Sequence, residues 1–388
     1  MSLDDQLENY LLERHKQNLY RTRSVRQNHQ AAYILFENRK YLNFCSNDYL
    51  GLASHHEIIF AAQSALQEYG VGSGASALIT GHTKIHQQLE ESLAEFTCRS
   101  KVLLFSNGFA ANIGVLGALA NKKTNLIMDK LSHASLIDGA KLSGSKLRRY
   151  QHLDMHNLER LLENKDPNEF LVVTESLFSM DGDLAPLNEI SDICKKNSAN
   201  AYVDDAHGFG VYGENGAGSL TAAGLNEQQI PVMVATFGKA FGAAGAFVAG
   251  SEILIETLVQ KARSYIYSTA MPPAMAAAIL KSLELVKKDN WRREKLFDLV
   301  TYFREKASAR GIPISENALG PIQPIMVGDS DKALKHSQLL EEKGIKISAI
   351  RPPTVPENTS RLRITFSAAH EKQHIDSLVS ALGDVFAV

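Results

Sequence analysis

Residues 232–245 read VMVATFGKAFGAAG, an apolar run that passes through a threonine into a glycine-flanked lysine, Lys239. Six further short apolar runs, separated by helical patterns, occupy residues 101–105, 125–129, 146–151, 170–175, 201–204 and 245–249. Strands that alternate with helices form a mostly parallel sheet with helices on both faces. The sequence therefore predicts a large α/β domain over residues 50–285, built on a seven-stranded sheet.

The segments outside this domain have a different pattern. Residues 2–18 have helical periodicity. From residue 286 to 388 the pattern is α+β, with strands expected at 322–327, 345–350 and 362–366 and helices at 331–343 and 370–386. We expect residues 1–49 to pack with residues 286–388 as a smaller domain.

Composition excludes several classes of protein. The 388 residues are 44% hydrophobic and 22% charged, and a net charge of −2 offers no basic surface for nucleic acid. The three cysteines form no CxxC pair, and His82 and His86 have no third ligand nearby, so no metal site is expected. The N-terminus lacks the pattern of a signal peptide, and no apolar run is long enough to span a bilayer. A soluble cytoplasmic protein without membrane or nucleic-acid partners is expected.

Polar residues follow the predicted strands, where ligands gather in open parallel sheets. Lys239 lies on a tight glycine turn, where desolvation makes an amine available as a Schiff-base nucleophile. Asp204 closes a buried strand and would need a cation, such as a protonated pyridine nitrogen, and His207 follows three residues later. A surface lysine, a capping aspartate and a loop histidine are the alternative interpretations.

Three more strand ends add to this pattern. Gly108 opens a helix whose free amides suit a phosphate, His133 could stack on an aromatic ring, and Ser179 could reach a ring oxygen. The alternatives are a plain βα turn at Gly108 and a helix-cap histidine at His133. Together, however, five consecutive strand ends match the parts of pyridoxal 5'-phosphate (PLP).

The chain resembles the fold-type I PLP enzymes, and more narrowly their α-oxoamine synthase branch. The resemblance rests on SNGFAAN (106–112), DKLSH (129–133), ESLFSMDGD (175–183), DDAHGFGVYG (204–213) and TFGKAFGAAGA (236–246), and it begins at NFCSNDYLG (43–51). Within the branch, AIRPPTVP (349–356), RLRIT (361–365) and AAH (368–370) are most similar to the members that condense L-alanine with a pimeloyl thioester in biotin biosynthesis. The alternatives are another α-oxoamine synthase, such as one that uses glycine and acetyl-CoA, and a non-catalytic scaffold subunit.

The resemblance implies a role for individual residues. Lys239 would carry the cofactor and act as base, Asp204 would pair with the ring nitrogen, His207 and Ser179 would contact the ring oxygen, and His133 would stack on the ring. The phosphate would be held by Gly108, Phe109 and Thr236, and by Ser268 and Thr269 of a neighbouring subunit. The substrates would be bound by Arg21, Asn47, His133, Arg351 and Thr354.

It also implies a homodimer with active sites at the interface, and leaves open whether coenzyme A or a transiently bound acyl carrier protein delivers the acyl group. The glycine-rich stretch 69–81 partly matches a dinucleotide fingerprint, but the preceding segment 61–69 is predicted to be helix, so NAD binding is rejected. Relatives often have an arginine in this loop where the chain has Ala77.

Overall fold

The structure is a computed structural model and describes residues 1–163 and 170–387. Its strands are β1 Tyr33–Phe36, β2 Arg39–Asn43, β3 Lys101–Phe105, β4 Asn125–Asp129, β5 Lys146–Tyr150, β6 Phe170–Glu175, β7 Asn200–Asp204, β8 Val232–Thr236, β9 Ala246–Gly250, β10 Ile322–Gly328, β11 Ile345–Lys346, β12 Ser348–Ile350 and β13 Ser360–Thr365. Its α-helices are α1 Leu3–Lys16, α2 His56–Tyr69, α3 Lys84–Thr97, α4 Gly108–Leu119, α5 Ala134–Ser143, α6 Met155–Leu162, α7 Leu187–Lys196, α8 Ser219–Ala222, α9 Glu252–Lys261, α10 Arg263–Ile266, α11 Pro273–Lys288, α12 Asn290–Ala309, α13 Ser330–Glu342 and α14 Lys372–Phe386.

The chain forms two compact units, a larger one of residues 48–179 and 183–293 and a smaller one of residues 1–47, 180–182 and 294–388. The boundary predicted from the change of pattern, after residue 285, falls inside α11. The helix continues to Lys288, and the Arg293 guanidinium donates to the carbonyl of Val286 at 2.6 Å, which keeps this segment with the larger unit.

The larger unit contains the predicted seven-stranded sheet, in the order β3-β9-β8-β7-β6-β4-β5. Strands β4 to β8 run parallel, and β9 is antiparallel to both of its neighbours. Strands β4, β6 and β9 are buried along their whole length, as expected for strands covered on both faces. The fold class predicted from the alternating pattern is confirmed.

This topology determines where the candidate residues lie. Because β3 and the parallel strands β4, β6, β7 and β8 point the same way, their carboxyl ends share one edge of the sheet. At this edge lie Asp129, Glu175, Asp204 and Thr236, each the last residue of its strand. A cluster of buried apolar residues packs one face of the sheet against α4, α5 and α9 and so fixes the strands that end at this edge.

The smaller unit contains two three-stranded sheets, β1-β2-β11 and β10-β13-β12, with α12, α13 and α14. The single strand expected at 345–350 is wrong. Ile347, which is buried, separates β11, which pairs with β2, from β12, which pairs with β13. The chain therefore changes from one sheet to the other at this residue.

The β1–β2 hairpin was not predicted. Its two-residue turn, Glu37-Asn38, has positive φ at both positions (49° and 61°), the geometry of a type I′ turn. Such turns are normally recognised by Asn-Gly or Asp-Gly, and a glutamate at the first position gives no signal. No helix in the described part of the chain is both long and apolar enough to cross a membrane.

Candidate active site

Asp204 lies buried at the carboxyl end of β7. Its Oδ2 accepts a hydrogen bond from Asn112 Nδ2 at 2.7 Å, and its Oδ1 accepts one from the backbone N–H of Ala206 at 3.0 Å. These donors hold the carboxylate in one orientation at the edge of the sheet. A buried carboxylate in such a position is suited to pairing with a cationic ring nitrogen.

Asn112, in α4, connects Asp204 to His133. Its amide oxygen accepts from Tyr202 Oη at 2.6 Å, and its Nδ2 also donates to Ser135 Oγ at 2.8 Å. The Ser135 hydroxyl in turn lies 2.7 Å from His133 Nδ1, and the Ser135 N–H donates to the same nitrogen at 3.3 Å. Because Nδ1 accepts a backbone N–H, a neutral His133 ring carries its proton on Nε2.

His133 is an exposed residue, and the charges of Asp204, Lys239 and Asp138 act on its ring. Desolvation lowers the pKa of His133; the charge of Asp204 opposes this lowering, and the charge of Lys239 adds to it. The ring meets that of Phe109 edge-on, with centroids 6.5 Å apart. His133 is thus held as a neutral imidazole whose Nε2–H can donate to a ligand.

Glu175, the last residue of β6, is fully buried, and its Oε1 accepts the backbone N–H of His133 at 2.6 Å. Burial and the nearby charge of Asp204 raise the pKa of Glu175 to about 8, although Lys239 acts in the opposite direction. Lys239 therefore influences both His133 and Glu175, which places these groups and Asp204 in one electrostatic cluster.

Lys239 lies half-buried in the turn after β8. Its carbonyl accepts the N–H of Gly242 at 2.9 Å, and the Thr236 hydroxyl donates to the carbonyl of Gly245 at 2.8 Å. Gly242 has a φ of +62°, and a Cβ there would lie 2.3 Å from the backbone nitrogen of Ala53. The turn is therefore tightly packed and holds the lysine at the edge of the sheet.

His207 is buried in the loop after β7, with Nδ1 2.6 Å from the hydroxyl of Tyr49. The loop is held by Asp205, whose carboxylate accepts hydrogen bonds from the Ser176 hydroxyl and from the Ser219 N–H, the latter at 2.8 Å. Burial raises the pKa of Asp205 to about 6.

The start of α4 lies beside Thr236. Asn107 caps the helix through the N–H of Ala110 at 2.8 Å, and a Cβ on Gly108 would come no closer than 3.8 Å to Thr236. Helix N-termini with accessible backbone attract anions. Phe109, the next residue, is 44% exposed.

Ser268 and Thr269 line a small cavity of about 30 Å³ in the larger unit, together with Ser106 and Ala77. Thr269 forms a β-bridge with Ser76, which fixes this segment against the glycine-rich loop. That loop follows helix α2, as predicted, so the strand needed for a dinucleotide fingerprint is absent from this described segment. Ser179 follows β6 in the same unit and is half-buried.

Four of the five predicted substrate residues lie in the smaller unit, namely Arg21, Asn47, Arg351 and Thr354, and the fifth, His133, lies in the larger unit. Arg21 Nη2 is 3.5 Å from Thr354 Oγ1, and Arg351 donates to the carbonyl of Asn18. Burial, and next the charge of Arg21, lowers the pKa of Arg351. Arg21, Arg351 and Thr354 therefore form one cluster, whereas Asn47 accepts a hydrogen bond from Arg363 at 3.2 Å.

Several residues of the site were not identified from the sequence. Tyr49, Asn112 and Glu175 occur inside the recognised motifs but have no role assigned from the sequence, and Ser135 lies just outside those motifs. Asn112, Glu175 and Tyr49 have partners that are distant in the sequence, and Ser135 bonds both the nearby His133 and the distant Asn112. Among the described residues, no group of three or more His, Cys, Asp or Glu is arranged to hold a metal ion.

Comparison with known proteins adds the family context. The model of the family described as aminotransferase class I and II matches residues 39–382. The 8-amino-7-oxononanoate synthase of Hahella chejuensis is 51% identical over 372 residues, which cover 96% of this chain and 94% of the relative. That of Cellvibrio japonicus is 49% identical over 383 residues, or 99% and 96% of the two chains.

Two solved structures are similar over most of the chain. A serine palmitoyltransferase from S. paucimobilis, with a bound PLP–myriocin aldimine, has a TM-score of 0.94 at 28% identity and covers 100% of this chain and 99% of its own. The 8-amino-7-oxononanoate synthase from Francisella tularensis has a TM-score of 0.80 at 32% identity, over 89% and 98% of the chains.

Proposed function

Because the chain belongs to the class I and II aminotransferase family and, within it, to the 8-amino-7-oxononanoate synthases, we propose that it condenses L-alanine with a pimeloyl thioester. The products are 8-amino-7-oxononanoate, carbon dioxide and the free thiol carrier, a step in biotin biosynthesis. The observation that carries this proposal is identity of about half the residues over nearly the full chain with curated enzymes of that name. The fold alone does not select this reaction, since a serine palmitoyltransferase has the same fold.

The residues at the sheet edge fit PLP, the cofactor of this family. The buried Asp204, fixed by Asn112 and Ala206, is a suitable partner for the pyridine nitrogen. Gly108 leaves open space beside Thr236 at a helix start, which suits a phosphate. His207 and Ser179 would bind the ring oxygen, His133 would lie on the ring face, and Lys239 would hold the aldehyde carbon. Ser268 and Thr269 are proposed to reach the phosphate of a second subunit.

When bound, PLP supplies an electron sink that stabilises negative charge at the Cα of the amino acid. Asp204 keeps the ring nitrogen protonated and so keeps the sink effective. Lys239 Nζ would hold the cofactor before alanine binds and would then serve as the base that accepts the alanine Cα proton. The half-buried turn fixes the backbone from which Lys239 reaches the edge of the sheet.

His133 is proposed to activate the thioester. Its Nδ1 is occupied by Ser135, so its Nε2–H can donate to the thioester carbonyl and make the carbon more electrophilic. Condensation forms the new carbon–carbon bond and expels the thiol. The alanine Cα then loses its carboxyl group as carbon dioxide, and a proton returns to this Cα.

The smaller unit is proposed to supply the anion-binding groups. Arg351 takes the carboxylate of alanine, with Asn47 and Thr354 nearby, and Arg21 contacts the acyl substrate. A bidentate guanidinium is suited to a carboxylate because its two N–H groups match the two oxygens.

The assembly and its setting are also proposals. We expect a homodimer, which is supported by exposed apolar side chains of the larger unit at Phe60, Val71, Ile79 and Tyr267. Its expected location is the cytoplasm, with coenzyme A or a transiently bound acyl carrier protein as the thiol carrier. Light scattering of the purified protein gives the mass that tests the dimer.

A substrate matrix tests the reaction. The purified protein, saturated with PLP, is assayed with four pairs: alanine and pimeloyl-CoA, glycine and acetyl-CoA, glycine and succinyl-CoA, and serine and palmitoyl-CoA. Mass spectrometry identifies the amino ketone, and released thiol gives the rate. Alanine with pimeloyl-CoA should have the highest kcat/KM. If another pair were best, the enzyme would be a different α-oxoamine synthase, and activity with none would favour a scaffold subunit.

A further inference from the structure

His152, in the turn between β5 and α6, lies between two carboxylates of the larger unit. Its Nδ1 is 3.0 Å from Asp129 Oδ1, and its Nε2 is 2.8 Å from Asp183 Oδ2. Ionised carboxylates only accept hydrogen bonds, so both ring nitrogens must donate, and only the imidazolium has two N–H groups. Burial alone would lower the pKa of His152, but Asp129 and Asp183 raise it to about 10.

Asp129 connects this cation to the turn that carries His133. It is fully buried at the end of β4, and besides His152 its carboxylate accepts the N–H of Leu131 at 2.7 Å and that of Leu153 at 3.0 Å. The first of these bonds shapes the β4–α5 turn, which continues directly into His133. The second holds the turn in which His152 itself lies.

Asp183 connects the cation to the loop that carries Ser179. The Asp183 carbonyl accepts the N–H of Phe178 at 3.0 Å, and Leu177 pairs with Leu184, so the two sides of the loop are held together at this level. The Phe178 ring meets His152 edge-on, with centroids 4.5 Å apart. Among the described residues, Asp183 Oδ1 has no hydrogen-bond partner, which leaves His152 as the cation that balances this buried carboxylate.

We propose that His152 is a positioning residue of the cofactor site, which as a fixed cation between Asp129 and Asp183 holds the loops of His133 and Ser179 at a set distance. The inference rests on the proposed function only in requiring that the site binds PLP. His152 touches neither cofactor nor substrate. Its effect is exerted through the orientation of residues that do.

The test compares His152→Gln with His156→Gln, a change to an exposed histidine four residues away. The dissociation constant of PLP, the absorbance spectrum of the bound cofactor and the exchange of the alanine Cα hydrogen are measured below the melting temperature of each protein. For His152→Gln we expect PLP affinity to fall by about tenfold. Exchange should slow by up to about a hundredfold, since small displacements of site groups have large effects. His156→Gln should match the wild type.

A purely structural role would lower the melting temperature and leave these three readouts unchanged in the folded protein, and that result would overturn the proposal. If His152→Gln does not fold, the same measurements are made on Asp183→Asn. This change keeps the shape of the side chain at residue 183 and removes the negative charge on one side of His152. It should weaken PLP binding and slow exchange by about threefold or more, whereas values equal to the wild type would overturn the proposal. None of these readouts uses an acyl thioester, so a failure of the proposed condensation would be recognised separately.

Discussion

At the residue scale, the orientation of Asp204 depends on neutral donors, Asn112 and the backbone of Ala206. Asp204→Asn keeps the size of the side chain and removes the charge that would pair with a ring nitrogen. We expect PLP to bind still, but exchange of the alanine Cα hydrogen to slow by about a hundredfold or more. NMR of alanine in deuterated buffer measures this rate. Asp192→Asn, on the exposed face of α7, is the control, and near-normal exchange in Asp204→Asn would contradict the assigned role.

Lys239 is predicted to hold the cofactor covalently. Its turn is fixed by the bond from Gly242 and its charge acts on both His133 and Glu175, as expected for an amine that faces the site. Borohydride treatment should attach the pyridoxyl group to one peptide containing Lys239, detected by mass spectrometry. Lys239→Ala should retain non-covalent PLP and lose essentially all turnover. Labelling of another lysine would refute the assignment.

Glu175 predicts a pH dependence of the apoprotein. Burial and Asp204 raise its pKa in the folded protein from 4.5 to about 8, so the folded state binds the proton more tightly than the unfolded state. Its contribution to stability is therefore fully present below about pH 4.5 and is lost as the pH rises through about 8. Urea unfolding at several pH values should show this decline in the wild type.

Glu175→Gln should flatten that part of the profile, because the amide does not titrate and still accepts the N–H of His133. Glu189→Gln, on the exposed side of α7, should leave the wild-type profile unchanged. Parallel profiles for the wild type and Glu175→Gln would show that Glu175 does not titrate in this range.

At the scale of elements, the turn after β8 depends on glycine at residue 242. Gly242 and Gly224 both have positive φ (+62° and +68°), so alanine at either position has a backbone cost of about 1–2 kcal/mol. At Gly242 the new Cβ would also lie 2.3 Å from Ala53 N and 2.5 Å from Leu52 C, whereas at Gly224 it meets nothing within 4 Å. Gly242→Ala should therefore lose clearly more unfolding free energy than Gly224→Ala, and also PLP affinity. If urea titrations gave the same loss of unfolding free energy for Gly242→Ala and Gly224→Ala, the close packing of this turn would be refuted.

Most strands of the large sheet could be predicted from the sequence because burial on both faces makes them continuous apolar runs, whereas the edge strand β5 (KLRRY) is mostly polar and only partly buried. β3, β4 and β6 begin and end at the predicted residues. The β1–β2 hairpin could not be predicted, because its turn lacks the usual glycine. The change of sheet at Ile347 could not be predicted either, because no local sequence pattern marks it.

The same limit applies to the site. Asp204 and Lys239 could be proposed from the sequence because Asp204 ends a strand and Lys239 lies in the turn after one, and such positions indicate a ligand site. The hydrogen bonds of His152 are made to residues 23 and 31 positions away, and nothing in the sequence indicates that these turns meet. Asn112 lies inside a recognised motif, but its partners are contributed by β7 and α5.

At the scale of the whole molecule, the proposed carboxylate-binding residues Arg21 and Arg351 both belong to the smaller unit. Arg21 and Arg351 are neighbouring cations, and the charge of Arg21 contributes to the lowered pKa of Arg351. Two adjacent guanidiniums are stabilised by anions, and each proposed substrate brings a carboxylate: that of alanine and the distal one of the pimeloyl chain. A change at Arg351 should therefore affect mainly the KM for alanine, and a change at Arg21 mainly the KM for pimeloyl-CoA.

Arg351→Lys should raise the KM for alanine by about tenfold or more, since a hydrogen bond to a charged group contributes about 1.5–3 kcal/mol and lysine cannot bind a carboxylate in bidentate fashion. The KM for pimeloyl-CoA and the absorbance of the bound cofactor should change little. Arg21→Ala should have the opposite pattern, with a raised KM for pimeloyl-CoA, and Arg310→Lys, at an exposed position, should change neither. Steady-state kinetics with each substrate varied in turn measures both constants. If Arg351→Lys altered the cofactor spectrum and left the alanine KM unchanged, Arg351 would act on PLP, and alanine would have to be selected by other residues.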